Sequence, residues 1–458
     1  MSSHPHLLIL GGGSAAVTAA REVADRGGRV TLIHEGLPLG GCCLHVGCVP
    51  SKYWIRAAEK VHACQQSLFP GLHPKGVDVD QPNLFSDLHE TIRELRERNY
   101  EPMLNQLEGV EMIRGWGRIV DETTVEVDGQ TISGDAILIA TGSRTDLSPA
   151  VHLPSELVLS NEKLFNQEKL PESVLMIGGG YIAIELAQMM TRFGVEVTTL
   201  QRSAHVLSSQ PAYLGQELAE VFEEEGMNLI CGFDSKEIRV GGKGVEAVGS
   251  LNGEERVFTA NKVMLARGRL GNTDGLGLDA SGVQTNPHGF LQVNDRFQTS
   301  CPTIYGVGDV LGGHMLVYTA SAEAERMVAG LFGEDVQQIS DHSVPWVVFT
   351  DPQVAGIGWS AEEARDQGID VEEAELPVSR WPRFSTINET RGFLKMFRDP
   401  ESDTLVGARA VCPEAGDLIS ELALIQEHRL SLKTIADRVV PYLTLNEGIQ
   451  RCAAKFHQ

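Results

Sequence analysis

Cys42, Cys43 and Cys48 fall within seven residues, and Lys52 lies four beyond the last of them. Thiolates are nucleophiles, soft-metal ligands and redox groups, so such a cluster reads as redox or metal chemistry. Cys43 and Cys48 are five positions apart. In a regular helix that spacing separates the Cα atoms by roughly 8.7 Å. A disulfide needs them under about 7 Å apart. A bridge therefore requires a distorted first turn, and Gly47 and Pro50 mark one. A helix start also lowers a thiol pKa through its partial positive charge. The segment predicts a reducible pair with one thiolate in reserve; the alternative is free buried cysteines in a turn. Eight cysteines scattered over 458 residues do not make a disulfide scaffold.

Two similar segments are placed to serve this pair. His6–Leu10 is a short apolar run that leads into Gly11, Gly12 and Gly13, an Ala-rich helical stretch to Ala24, and a strand at 29–33 ending in His34 and Glu35. Ser173–Ile177 leads likewise into Gly178, Gly179 and Gly180, a helical stretch to Met190, and a strand at 196–200 ending in Gln201 and Arg202. In Gly11-x-Gly13-x-x-Ala16 the first glycine permits the turn. The second lets backbone approach a pyrophosphate, and the small third residue lets the helix pack on the sheet. Glu35 stands where an acid would take a ribose hydroxyl. Gly178-x-Gly180-x-x-Ala183 repeats the pattern. There Gln201 replaces the acid and Arg202 suits a 2′-phosphate, which favours NADPH, with NADH the alternative. Two such folds predict two dinucleotides.

A charged helix is predicted at 87–101, with strands around Val125 and at 136–140. The glycine-rich stretch 232–253 reads as hairpins. Strands are also predicted at 344–349, 393–396 and 405–411. Boundaries near 147, 265 and 340 divide the chain into 1–147 completed by 266–340, then 148–265, then 341–458.

Hydrophobic residues make up 42% and charged ones 22%, as in a soluble globular protein. The net charge of −24 excludes a general nucleic-acid binder and argues against an anionic membrane surface. No apolar run is long enough to span a bilayer. The stretch from Met1 to Leu10 lacks the pattern of a cleaved leader, so a cytoplasmic location is expected.

The segment Gly40-Gly41-Cys42-Cys43-Leu44-His45-Val46-Gly47-Cys48-Val49-Pro50-Ser51-Lys52 resembles the redox stretch of the FAD-dependent pyridine nucleotide–disulfide oxidoreductases, and the resemblance covers nearly the whole chain. It implies an α/β chain of two Rossmann-like dinucleotide-binding domains and a C-terminal α+β dimerisation domain. It implies FAD at Gly11, Gly13, Ala16, Glu35, Gly41, Cys42, Lys52, Thr141, Gly142 and Asp309. The nicotinamide nucleotide falls to Gly178, Gly180, Ala183, Arg202 and Gly268. By the same resemblance Cys48 is the flavin-proximal, charge-transfer thiol and Cys43 the interchange thiol. Tyr181 gates the nicotinamide, and Glu185 pairs with Lys52. A homodimer follows, in which Tyr442 and Glu447 of one subunit face Cys43 of the other.

Within the family the segment Pro441-Tyr442-Leu443-Thr444 and the stretches Trp381–Arg383, Thr390–Phe393 and Pro413–Gly416 look closest to mercuric reductase. Tyr442 stands where disulfide reductases carry a histidine relay. A phenol of pKa ~10 is a poor base at neutral pH. The implied acceptor is a small thiol-bound species, Hg(II) first, held transiently at Cys43 and Cys48, with no structural metal site. Alternatives are a dihydrolipoamide dehydrogenase-like reductase of a lipoyl or other small disulfide, an oxidase passing electrons to oxygen, and a non-catalytic flavoprotein redox sensor. Three features depart from the mercuric pattern. The last cysteine is a lone Cys452 rather than a terminal pair, and no N-terminal metal-binding domain precedes the first strand. Cys42 and His45 replace the customary Thr and Asn, which makes Cys42 either an added ligand or a small residue filling the Thr site. Met315–Tyr318 is expected to line the core near the flavin.

Overall fold

The computed structural model describes residues 4–242 and 244–458. The first three residues of the stretch read for a leader, and Lys243 of the glycine-rich stretch, lie outside them. The architecture is α/β: two Rossmann-like units and a C-terminal α+β unit.

The apolar run His6–Leu10 becomes the central strand of a parallel sheet, ordered Ile304–Gly306, Ala136–Ile139, His6–Leu10, Arg29–His34, Val110–Arg114. Its middle strands are buried on both faces, which is why they read as unbroken apolar runs. The second parallel sheet follows the same plan: Asn228–Cys231, Glu196–Gln201, Ser173–Ile177, Lys262–Leu265, Val158–Leu159. The strand at Ile304–Gly306 returns to the first sheet after the whole second unit has been built. The glycine-rich stretch forms the antiparallel strands Phe233–Gly241, Gly244–Leu251 and Glu254–Ala260, as hairpins require.

The third unit is an antiparallel sheet ordered Trp346–Val348, Gln353–Gly358, Thr404–Cys412, Phe393–Asp399, Glu372–Pro377, with helices Ala415–Glu427 and Leu445–Ala454 against it. Buried Arg192 ties it to the second unit, reaching Glu225 at 2.5 Å and Asp351 at 2.9 Å. The helix expected at 87–101 starts earlier, at Gln81, because Asp80 caps it by accepting from Asn83 N–H at 3.1 Å and Pro82 fits its first turn. Among the described residues, no helix is long and apolar enough to cross a membrane.

Candidate active site

The two glycine turns have closely matching geometry. Gly11 N–H donates to Ile33 O at 2.9 Å, and Gly178 N–H to Leu200 O at 3.0 Å. Their φ angles are +130° and +121°; a Cβ would stand 2.2 Å from Ala140 O at Gly11 and 2.4 Å from Ala266 O at Gly178. Only glycine fits there. At Gly13 and Gly180 a Cβ would meet nothing within 4 Å. The backbone there is open, and the helices that follow, Ser14–Asp25 and Tyr181–Arg192, have no side-chain cap on their first N–H groups. Uncapped donors on a bare glycine fit a pyrophosphate at each turn. Ala16 and Ala183 are fully buried, as close helix–sheet packing demands.

Both turns are connected to one cavity of about 860 Å³. Gly11, Gly13, Glu35, Gly41, Cys42, Thr141, Gly142 and Asp309 line it, and so do Cys43, Cys48, Lys52, Gly180, Tyr181, Glu185 and Gly268. Asp309 accepts from Ser143 Oγ at 3.1 Å, and Thr141 Oγ1 donates to Asn272 O at 2.7 Å, fixing the rim. Gly178, Ala16 and Ala183 lie behind the lining, where their roles are steric. Arg202 is exposed beyond the Glu196–Gln201 strand, outside the cavity.

The cysteine segment is distorted where Gly47 predicted. Helix Gly41–His45 stops, Val46 and Gly47 break it, and an 18-residue helix restarts at Cys48. A Cβ on Gly47 would stand 2.9 Å from Cys42 O, so the bend needs glycine. The break brings the two sulfurs into hydrogen-bond contact as a dithiol. The Cys43 thiol donates, and this bond lowers Cys48 to a pKa of about 7 against the opposing effect of burial, with the Lys52 ammonium helping. The same bond, then burial, drives Cys43 far up. Cys43 thus keeps the proton and Cys48 carries the charge. Cys48 is exposed and lines the cavity.

Lys52 joins all three units. Its Nζ lies 2.7 Å from Glu185 Oε2 and 4.7 Å from the Phe349 ring centroid. Glu185 is buried and also accepts from Phe349 N–H at 2.8 Å. Burial raises the pKa of Tyr181, whose hydroxyl accepts from Gln210 Nε2 at 3.0 Å.

The C-terminal candidates lie elsewhere. Tyr442 is 68% exposed, beside Val439 at 98%. Glu447 is buried, accepting from Leu443 N–H at 3.0 Å and pairing with Arg451 at 2.6 Å. Within one chain neither lines the cavity.

His45 also does not line the cavity: its Nε2 is bonded to Leu39 O at 3.0 Å, and burial lowers its pKa. One expectation is corrected. Of Met315–Tyr318, the first three residues line the cavity, but Tyr318 is 45% exposed and donates to Pro345 O instead. Three contributors had no motif to reveal them. Arg269 Nη2 is 3.8 Å from Cys42 Sγ and holds Ser143 O at 2.8 Å. Burial, and after it the neighbouring cysteine pair, raises the pKa of Tyr100. Trp346 stacks on Tyr181. Among the described residues, no group of three His, Cys, Asp or Glu side chains is arranged to hold a metal ion.

A dithiol set between two pyrophosphate turns defines a dinucleotide-dependent dithiol oxidoreductase. The comparisons agree. The family model described as pyridine nucleotide-disulphide oxidoreductase matches residues 5–324, and its dimerisation-domain model matches 344–453. Mercuric reductase of Lysinibacillus sphaericus is 33% identical over 450 residues, covering 98% of this chain and 82% of that protein. Dihydrolipoyl dehydrogenase of Geobacillus stearothermophilus is 31% identical over 446 residues, covering 96% and 93%. Among solved structures, the HOCl-induced flavoprotein disulfide reductase RclA from Escherichia coli superposes with a TM-score of 0.87 at 25% identity, covering 98% of this chain and 99% of that one. The chain belongs to the pyridine nucleotide-disulphide oxidoreductase family. It is an NAD(P)H-dependent FAD oxidoreductase with a dimerisation domain.

Proposed function

We propose that the chain reduces a thiol-bound soft metal cation, Hg(II) foremost, as the named activity of its mercuric reductase relatives suggests. The observation that carries this is the tyrosine at position 442, where the resemblance puts the relay histidine of disulfide reductases. Position 442 offers a phenol, and the Glu447 carboxylate is already taken by Leu443 N–H and Arg451. An organic disulfide needs a proton for its departing thiol. A bis-thiolate Hg(II) complex does not: two electrons give Hg(0), and both ligands depart as thiolates while NADPH becomes NADP⁺ and a proton. Soft cations also prefer thiolate ligands.

When bound, the flavin supplies two-electron exchange between the nicotinamide and the sulfur pair. The residues do the rest. Gly11, Gly13, Ala16, Glu35, Gly41, Cys42, Lys52, Thr141, Gly142 and Asp309 hold FAD, within 1–147 and 266–340. Gly178, Gly180, Ala183, Arg202 and Gly268 hold NADPH, largely within 148–265. Cys48 keeps its charge toward the flavin, steadied by Lys52, which Glu185 orients. Cys43 faces the substrate. Tyr181 covers the nicotinamide path. Residues 341–458 pair two chains, so that Tyr442 and Glu447 face the Cys43 of the partner. The exposure of Val439 and Tyr442 supports this reading. A cytoplasmic location fits a sulfur pair that must pass through its dithiol form in each cycle.

The test is acceptor-dependent NADPH oxidation with Hg(II) in excess thiol, lipoamide and glutathione disulfide. Hg(II) is expected to support turnover and the two disulfides little. Cys43→Ser or Cys48→Ser should lower Hg(II) turnover by about 1000-fold or more. Brisk lipoamide turnover without Hg(II) turnover would overturn the assignment.

A further inference from the structure

Trp346, Gly356 and Arg409 form a straight row across three strands. Trp346 pairs with Gly356, and Gly356 pairs with Arg409. Directly opposed residues share one face of a sheet. The middle position has no side chain, so the outer two meet above it. A Cβ on Gly356 would stand 2.4 Å from Trp346 Cζ2 and 2.6 Å from Cε2, which shows how closely the indole lies on that backbone.

Arg409 closes the clamp. It is 2% exposed, and its guanidinium carbon lies 5.7 Å from the Trp346 ring centroid, within cation–π range. Nη1 donates to Ile357 O and Ala408 O, each at 2.9 Å, and Nη2 to Gly358 O at 3.1 Å and Glu363 Oε2 at 3.3 Å. A buried cation so tethered cannot shift without leaving those acceptors unpaired. The row continues at Lys395, paired with Arg409, whose Nζ lies 4.5 Å from the Tyr213 ring centroid in the second unit. The sheet therefore presses a fixed edge onto the nucleotide-side unit at two tyrosines.

The first of them is Tyr181. Its ring is stacked on Trp346 with centroids 5.7 Å apart and planes at 24°, and its hydroxyl is held by Gln210 at 3.0 Å. Tyr181 begins the helix after Gly180, so its backbone is fixed by the turn and only side-chain rotation can move the ring. We propose that Trp346, clamped between Arg409 and Gly356, is a positioning residue that holds the Tyr181 ring at rest across the nicotinamide path, and so sets how readily a reduced nicotinamide displaces it. This rests on the reading of Tyr181 as the covering residue. An aromatic stack resists displacement beyond simple area burial; removing it frees the ring.

The experiment compares W346A, W346F, R409M and Y181A as FAD-loaded protein, measuring KM and kcat for NADPH and acceptor-free oxygen consumption. In W346A the KM for NADPH falls about three- to tenfold and oxygen-linked NADPH oxidation rises by a similar factor. Reoxidation of the prereduced dithiol by acceptor stays unchanged. W346F keeps a ring against Tyr181 and stays within about twofold of the parent; R409M moves the same way as W346A, but less. Equal shifts in W346A and W346F overturn the proposal. So does the absence of a shift in W346A when Y181A gives one. If Y181A itself moves neither KM nor oxygen leak, the covering role of Tyr181 fails and takes the proposal with it. Should W346A lose flavin, W346F against R409M decides on the same readouts.

Discussion

The Gly11 and Gly178 turns share backbone geometry but differ in what closes them. Over the first, the cysteine segment folds down: Gly40 N–H donates to Gly12 O at 2.8 Å, and the Cβ site of Gly41 comes within 2.8 Å of Gly13 Cα. Over the second, Leu207 N–H bonds Gly179 O at 2.8 Å, and the turn opens on Tyr181, a single side chain that can rotate. The strand ends differ too. Glu35 lies in the cavity with Arg114 3.5 Å away. Gln201 is buried against Gly179, and Arg202 points outward. On the proposed assignment, one scaffold serves two kinds of tenancy: a ligand retained beneath the two sulfurs, and one exchanged each cycle.

The largest test of this contrast is Gly13→Ala. The added methyl meets no protein atom within 4 Å, so the chain should fold normally by circular dichroism. It occupies pyrophosphate space, so the purified protein should be colourless and turnover should fall about 1000-fold or more. Gly180→Ala adds the same methyl at the other turn. Here the protein stays yellow and KM for NADPH rises about 10- to 100-fold, one or two factors of 1.4 kcal/mol. If both variants lose flavin, the two turns do not divide the cofactors. A smaller effect is expected of Arg202→Gln. Loss of one charge-assisted phosphate contact should cut the NADPH-over-NADH preference, measured as a ratio of kcat/KM, by about tenfold and leave NADH nearly unchanged. An equal loss with both nucleotides would remove Arg202 from the 2′-phosphate site.

What was legible in the sequence was what local chemistry enforces. Gly11, Gly178 and Gly47 each stand where a Cβ would strike backbone, so their spacing reported the turns and the helix break directly. The alternating pattern of 232–253 gave its hairpins. Contacts made between residues far apart in the sequence left no such trace. Phe349 N–H on Glu185, Arg269 on Cys42 and Trp346 on Tyr181 join residues 164 to 227 positions apart. Tyr318 misled because its apolar neighbours turn inward, whereas its own ring does not.

The smallest predicted effect concerns charge on the flavin side of the contrast. Cys48 sits at about 7 because Cys43 donates to it and the Lys52 ammonium attracts its negative charge, against burial. A lowered thiol is ionised above its pKa and loses its charge below it. In the prereduced protein, thiolate ultraviolet absorbance should therefore fade as pH drops through about 7. Lys52→Met removes the attraction and leaves Glu185 without its cation, and the Glu185 charge opposes ionisation of Cys48. Both changes act in one direction, so the midpoint should rise by about one unit. Gly180→Ala, on the exchange side, should not move it. A midpoint unmoved in Lys52→Met would leave the Cys43 hydrogen bond as the source of the lowered pKa, and Cys43→Ala, which removes the donor, would then have to raise it. If Gly180→Ala and Lys52→Met shift the midpoint equally, the sulfurs belong to neither tenant more than the other, and the division of labour drawn from the two closures fails.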